Sequence, residues 1–101
     1  MRELSKRLTA IFDLIPQGAR VADIGTDHAY LPIALSLSQK CENIIACDIR
    51  EKPLLKARAN IKKFGISDID TRLGNGLMEI NFGEADTIVI AGMGGDVISA
   101  I

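Results

Sequence analysis

Aromatic residues make up only 4% of this 101-residue chain, histidine occurs once and cysteine twice. Cys41 and Cys47 share no ligand spacing with His28, so the sequence suggests neither a zinc site nor a disulfide framework, and both read as free thiols. No run is long and apolar enough to span a membrane, and Met1 to Thr9 is too charged for a secretory signal. A cytoplasmic setting is the expectation. Internal repeats and low-complexity stretches are absent. What remains is a globular composition, 48% hydrophobic with net charge −1, at the small end for one domain and with room for a single core.

The chain is organised around VADIGTDHAYLPI, Val21 to Ile33. An apolar run with one acid (Val21, Ala22, Asp23, Ile24) meets Gly25, turns through Thr26 and Asp27, and enters a segment with Leu31, Ala34 and Leu35 at helical spacing. That pattern predicts strand, glycine turn and helix, the arrangement whose loop binds small polar or anionic ligands in an open α/β sheet. A dinucleotide loop requires G-x-G-x-x-G, and here only Gly25 fits; Asp27 and Ala29 stand where the later glycines belong. A carboxylate at Asp27 would repel a pyrophosphate but suits a cationic ligand such as the ammonium group of S-adenosylmethionine. Asp27 also has the chemistry of a helix N-cap, and the two readings are compatible.

Flanking segments complete a β-α alternation. Leu4, Leu8, Ile11, Phe12 and Ile15 mark an amphipathic helix stopped by Pro16 and Gly18, with Arg2, Lys6 and Arg7 on other faces, ordinarily a solvated position. Pro32 is tolerated only in the first turn of a helix, which sets that helix to begin near His28 to Tyr30 and end around Gln39. NIIAC, Asn43 to Cys47, reads as a strand covered on both faces, with Asp48 and Ile49 at its carboxyl end. Asp48 follows Gly25 by about the 20 residues expected for an acid that accepts both ribose hydroxyls of a nucleotide, and that reading outweighs a solvated strand-end acid.

Glu51 to Phe64 predicts a third helix with a basic exterior of Lys52, Lys56, Arg58, Lys62 and Lys63. Alone this is weak evidence for nucleic acid. Ile69 to Leu73 is a weaker strand, followed by Gly74, Asn75 and Gly76, where Asn75 either recognises an adenine edge or is an ordinary turn residue. One turn of helix is expected near Leu77 to Ile80. Asp86 to Ala91 is the most apolar strand and runs into Gly92, Met93, Gly94 and Gly95, a loop expected across the switch point from Asp23 to Asp27; Met93 could equally be a core plug. Val97, Ile98 and Ile101 begin another helical stripe.

DIGTDHAYLP at Asp23 to Pro32, with LSKRL, IPQGARVA, RLGNGL and DTIVIAGMGG in order along the chain, resembles the bacterial tRNA (adenine(22)-N1)-methyltransferase family. The resemblance implies an α/β, Rossmann-like class I methyltransferase fold, of which residues 1–101 are the N-terminal half of a doubly wound parallel sheet, about four strands. It implies S-adenosylmethionine as cofactor and N1 of an adenine in the tRNA D-arm as the methyl acceptor. Carried onto matching positions, Asp23, Gly25, Thr26 and Asp27 hold the methionine end, Asp48 and Ile49 the ribose side, Asn75 and Gly76 the adenine side, and Gly92 to Gly95 the target base. Family members often have aspartate where Asn75 stands, so adenine recognition here would use a neutral amide.

Proximity and orientation carry such a reaction, and no nucleophilic residue is required. Asp27 and the backbone carbonyls of Gly92 and Met93 are the catalytic candidates, as acceptors for the exocyclic amino group of the methylated ring. His28, Tyr30, Met93 and Gly94 are candidates for the substrate base, His28 and Tyr30 by stacking, although packing is the commoner role for both. Two other functions stand beside this one: a non-catalytic cofactor-binding fragment and, less favoured, a nicotinamide-dependent oxidoreductase. Scattered lysines and a net charge of −1 lead to the expectation that this length binds cofactor weakly and does not turn over tRNA. The apolar edge of Asp86 to Ala91, read as open, leads to an expectation of self-association.

Overall fold

The computed structural model describes residues 4–81, 83–90 and, for their backbone, 97–100. Helix α1 (Lys6–Leu14) opens with the Ser5 side chain accepting the Leu8 N–H at 3.1 Å, and the chain turns extended at Ile15 ahead of Pro16. Strand β1 (Val21–Ile24) and helix α2 (Tyr30–Leu37) follow, then β2 (Ile44–Asp48), α3 (Glu51–Lys63), β3 (Ile69–Leu73), a 3-10 turn (Gly76–Glu79), β4 (Thr87–Ile90) and β5 (Val97–Ala100). The strands form one sheet in the order β3-β2-β1-β4-β5. The first four are parallel, as expected, with β1 between β2 and β4 in the registers Asp23 to Ala46 and Asp23 to Val89.

Every residue of β1 and β2 is buried, because both faces of the sheet are covered. Alternation along the strands divides their side chains. Val21, Ile44 and Val89 join Ile11, Ile15, Leu31 and Leu35 under α1 and α2, while Ala22, Ile24, Ile45, Cys47 and Ile88 face the chain between the 3-10 turn and β4. Helix α3 packs Ala57 and Ile61 against Ala29 and Ile33. It ends as its sequence predicts: Gly65 takes φ +67°, and the Ile66 N–H bonds back to the Ile61 carbonyl at 3.2 Å. Cys41 and Cys47 are buried free thiols, and burial pushes the Cys47 thiol up to about 11.

One element differs in kind from the expectation. Val97 to Ala100 is a strand, antiparallel to β4 with Ile90 opposite Val97, and not the start of a helix. Two β-branched residues, Val97 and Ile98, beside an unpaired row of β4 backbone groups favour ladder formation over a helical turn. The far edge of β4 is therefore paired, and the reason given for self-association through it falls away. Among the described residues no helix is long and apolar enough to cross a membrane.

Candidate functional site

The carboxyl ends of β1 and β2 are stitched together. The N–H groups of Gly25 and Thr26 both reach the Cys47 carbonyl at 2.9 Å, so the loop after β1 leans over the end of β2. There Asp48, almost fully buried, accepts the Asp27 N–H at 3.2 Å on Oδ2 and the Arg50 N–H at 3.0 Å on Oδ1. The loop is built from left-handed residues: Gly25 at φ +74°, Asp27 at +56° and Ala29 at +63°. Two of these are not glycine, and backbone held in that region stores strain of a kind found at ligand-binding sites.

Two cavities meet at Gly25. The larger, about 600 Å³, lies between the ends of β1, β2 and β4 and the 3-10 turn, and Asp48, Ile49, Asn75 and Gly76 line it. Arg50, Leu77, Met78 and Ile90 line it as well. A Cβ on Gly76, whose φ is +53°, would come within 3.3 Å of Ile24 Cγ2, so glycine is required there by backbone conformation and space; one on Gly74 would displace the exposed Glu79 side chain. The smaller cavity, about 90 Å³, is lined by Asp23, Gly25, Thr26, Asp27, His28 and Tyr30 together with Arg7, Leu8 and Leu31.

Asp23 is the buried carboxylate of the small cavity. Burial pushes its carboxyl up to about 7, against the lowering effect of the Thr26 hydroxyl, which donates to Oδ2 at 2.9 Å; the nearby Asp48 charge adds to the rise. Asp27 is more than half exposed and stands 3.2 Å from His28 Nδ1. It does not cap α2: the N-cap is Ala29, with no side-chain hydrogen bond, so of the two roles open to Asp27 the cap is overturned. A left-handed residue immediately before the helix leaves no place for a capping side chain at Asp27. The His28 and Tyr30 rings stack on one another, 5.2 Å between centroids and 8° from parallel.

The structure thus gathers Asp23, Gly25, Thr26, Asp27, His28 and Tyr30 around one cavity and Asp48, Ile49, Asn75 and Gly76 around the other, as neighbours through Gly25. Asn75 is exposed, and its amide is 3.6 Å from Met78 Sδ. The residues Gly92, Met93, Gly94 and Gly95 lie outside the described residues. Sequence reasoning gave no site role to Arg7, Leu8 and Leu31 in the small cavity or to Arg50, Leu77, Met78 and Ile90 in the large one. Arg7 was read as solvated face, and Arg50 was passed over. Leu77 and Met78 carried a signal, since two large apolar residues side by side in a turn are anomalous unless they wall a cleft; they are 56% and 81% exposed.

Among the described residues no group of acids, histidine and cysteines could hold a metal ion. The arrangement suits an organic ligand with a polar, partly cationic end in the small cavity and a flat ring system between Ile49 and the Leu77–Met78 wall.

Residues 4–101 match the family described as methyltransferase domain. The tRNA (adenine(22)-N(1))-methyltransferase of Bacillus subtilis is 49% identical over 100 residues, which is 98% of this chain and 42% of that protein. The crystal structure of that B. subtilis enzyme, TrmK, superposes with a TM-score of 0.86 at 49% identity, over 91% of this chain and 40% of TrmK. M. capricolum TrmK in complex with S-adenosyl-homocysteine gives 0.82 at 44% identity, over 88% and 41% of the two chains. Streptococcus pneumoniae Sp1610 in complex with S-adenosyl-L-methionine gives 0.85 at 38%, over 91% and 44%. The chain therefore spans about two fifths of the length of these relatives, and over that span it belongs to the methyltransferase-domain family.

Proposed function

We propose that this chain is the cofactor-binding part of an S-adenosylmethionine-dependent methyltransferase that modifies N1 of an adenine in the tRNA D-arm. The observation that carries the reading is the pair of cavities joined at Gly25, each with one buried carboxylate, Asp48 in the larger and Asp23 in the smaller. The named activity of the B. subtilis relative and the ligands of the M. capricolum and S. pneumoniae structures support it. A tRNA substrate fits a cytoplasmic protein.

The residues present fit the cofactor. A carboxylate has about four acceptor sites, and Asp48 gives two of them to backbone N–H groups, which leaves acceptors for ribose hydroxyls. Ile49, Leu77 and Met78 offer apolar faces to an adenine ring, with Asn75 at its polar edge. Asp23 and Asp27 meet an ammonium group in the small cavity, and Arg7 supplies the cation that its carboxylate partner needs. Bound there, the cofactor supplies a methyl group already activated on a sulfonium centre.

The protein's share is then placement, which can lower a barrier by ~7–11 kcal/mol when reacting atoms are held in line. Adenine N1 attacks as a neutral lone pair and the product ring is cationic, so acceptors near the exocyclic amino group stabilise the developing charge. The candidates for that role are the Asp27 carboxylate and the backbone carbonyls of Gly92 and Met93, and the family resemblance implies Met93 and Gly94 for the target base. The His28–Tyr30 stack presents a face on which an extruded base can lie.

A nicotinamide dehydrogenase is disfavoured: Asp27 and the fully buried Ala29 occupy the positions where bare backbone would approach a pyrophosphate. Titration of the chain with S-adenosylhomocysteine and with NADH tests the reading, followed by incubation with unmodified tRNA and radiolabelled S-adenosylmethionine. Saturable binding of S-adenosylhomocysteine, with label on N1 of adenine where turnover occurs, is the expected result. Binding of NADH in its place overturns it.

A further inference from the structure

We infer that the outer face of α3 is a docking surface for RNA backbone phosphates; the inference rests on the functional reading above for the identity of the RNA. Five of the helix's thirteen residues are cations, Lys52, Lys56, Arg58, Lys62 and Lys63, and all five are exposed. Glu51 is its one acid, so the helix carries +4. The chain as a whole carries −1, and the other residues, with seven cations against twelve acids, therefore carry −5. A nearly neutral protein has separated its charge, with the positive share on one helix. The lysines scattered in the sequence share the exposed side of one helix in the fold.

Helix stability does not account for those cations. The helix dipole favours Lys62 and Lys63 in the last turn but disfavours Lys52 in the first. Lys52 and Lys56, and Arg58 and Lys62, are like-charge neighbours at the spacing where side chains repel. Among the described residues none of the five forms an ion pair. Arg58 Nε donates to the Thr71 hydroxyl at 2.8 Å, which orients the guanidinium and leaves its charge uncompensated.

The position of the helix suits the substrate. Helix α3 begins directly after Ile49 and Arg50, which line the large cavity, and runs about 20 Å from that rim at 1.5 Å per residue. Asn60 ties it to the small cavity by donating to the His28 carbonyl at 2.8 Å. An RNA with one base at the site would lay flanking backbone along the cations. A lipid surface is the poorer occupant: the apolar face of α3 (Leu54, Ala57, Ile61) is buried in the fold, and Leu55 is the one large apolar side chain left outside. Membrane-binding helices insert an apolar face; a polyphosphate requires only charge.

The test compares the parent chain with a Lys56→Gln/Lys62→Gln/Lys63→Gln variant and with the same three positions changed to arginine. Binding of an unmodified tRNA transcript is followed by fluorescence anisotropy across a salt series, and S-adenosylhomocysteine binding by calorimetry. The glutamine variant should lose tenfold or more in tRNA affinity at low salt and flatten the log–log salt slope by up to about 0.7–0.9 per lost phosphate contact. The arginine variant should match the parent, and all three should bind S-adenosylhomocysteine alike, which shows the fold and cofactor site intact. Equal tRNA affinity and slope in the glutamine variant, no tRNA binding by the parent, or tighter binding of the parent to anionic phospholipid vesicles than to tRNA would each overturn the surface. Loss of S-adenosylhomocysteine binding in the parent would count against the functional reading instead.

Discussion

Asp48 Oδ2 accepts the backbone N–H of Asp27 at 3.2 Å, so the acid at the end of β2 holds the loop that follows β1. One carboxylate thereby shapes the small cavity while it lines the large one.

Asp48→Ala should weaken S-adenosylhomocysteine by on the order of 1.5–3 kcal/mol, the scale of a hydrogen bond to a charged group. Calorimetry checks it. 5′-Methylthioadenosine, which keeps the ribose and lacks the amino-acid end, should also weaken, and by no more than S-adenosylhomocysteine, because the loop tied to the same side chain shapes only the amino-acid cavity. Unchanged affinity for both ligands removes Asp48 from the site.

The amino-acid end is tested at the other cavity. Asp27→Asn and Arg7→Gln should each weaken S-adenosylmethionine more than 5′-methylthioadenosine, by roughly 1–2 kcal/mol, since each removes one charged partner of the zwitterion. Ala29 and not Asp27 is the N-cap of α2, so the comparison does not carry a helix-capping loss. Equal losses for the two ligands would assign both residues to loop shape alone.

Arg72 sets the wall of the larger cavity from behind. Its Nη1 and Nη2 donate to Glu84 Oε1 and Oε2 at 2.8 and 2.7 Å, Nη2 also to Asp70 Oδ2 at 2.9 Å, and Nη1 to the Glu79 carbonyl at 2.5 Å. This fork binds β3 to the segment before β4 and fixes the ends of the turn that carries Leu77 and Met78. The Arg72 hydrogen bonds, with the Asn81 N–H, hold the Glu84 carboxyl down at about 2. A lowered carboxyl contributes stability above its unfolded value of 4.5 and loses it as pH falls through 2. Arg72→Lys keeps the charge but not the fork; it should flatten the acid side of the stability profile in that window and weaken 5′-methylthioadenosine severalfold. A pH profile identical to the parent's would show that the fork contributes nothing.

Much of this was readable from residue order. Continuous apolar strands, Pro32 in a first turn and Gly65 after Lys63 locate β1, β2, α2 and α3, because each is a local rule that packing reinforced. Val97 and Ile98 were misread because two neighbouring apolar residues fit a helix or a strand equally, and only the free edge of β4, a partner distant in sequence, decides. The Asp27 cap failed on a single backbone angle at Ala29, for which alanine gives no warning. Arg7 lies 16 residues before Asp23, and no spacing rule connects them; the packing of α1 beside the loop does.

Asp23 supplies the pH dependence of the empty and loaded states. Its carboxyl is raised from 3.8 to about 7, first by burial, so the folded chain holds its proton more tightly than the unfolded chain. The stability this contributes is complete below 3.8 and is lost as pH rises through 7, at up to about 1.4 kcal/mol per pH unit. Asp23→Asn keeps an acceptor for the Thr26 hydroxyl and removes the titration, so the variant should stay level where the parent declines, as thermal melts from pH 4 to 8 will show. An ammonium group beside Asp23 favours the ionised form, so ligand uptake below pH 7 should release a proton. S-adenosylhomocysteine affinity should therefore climb with pH up to about 7 and level off above it, and calorimetry in buffers of different ionisation enthalpy should report fractional proton release in the parent and none from this group in Asp23→Asn. Affinity that is flat across pH 5 to 8 in the parent would mean that Asp23 does not face the ligand's charge.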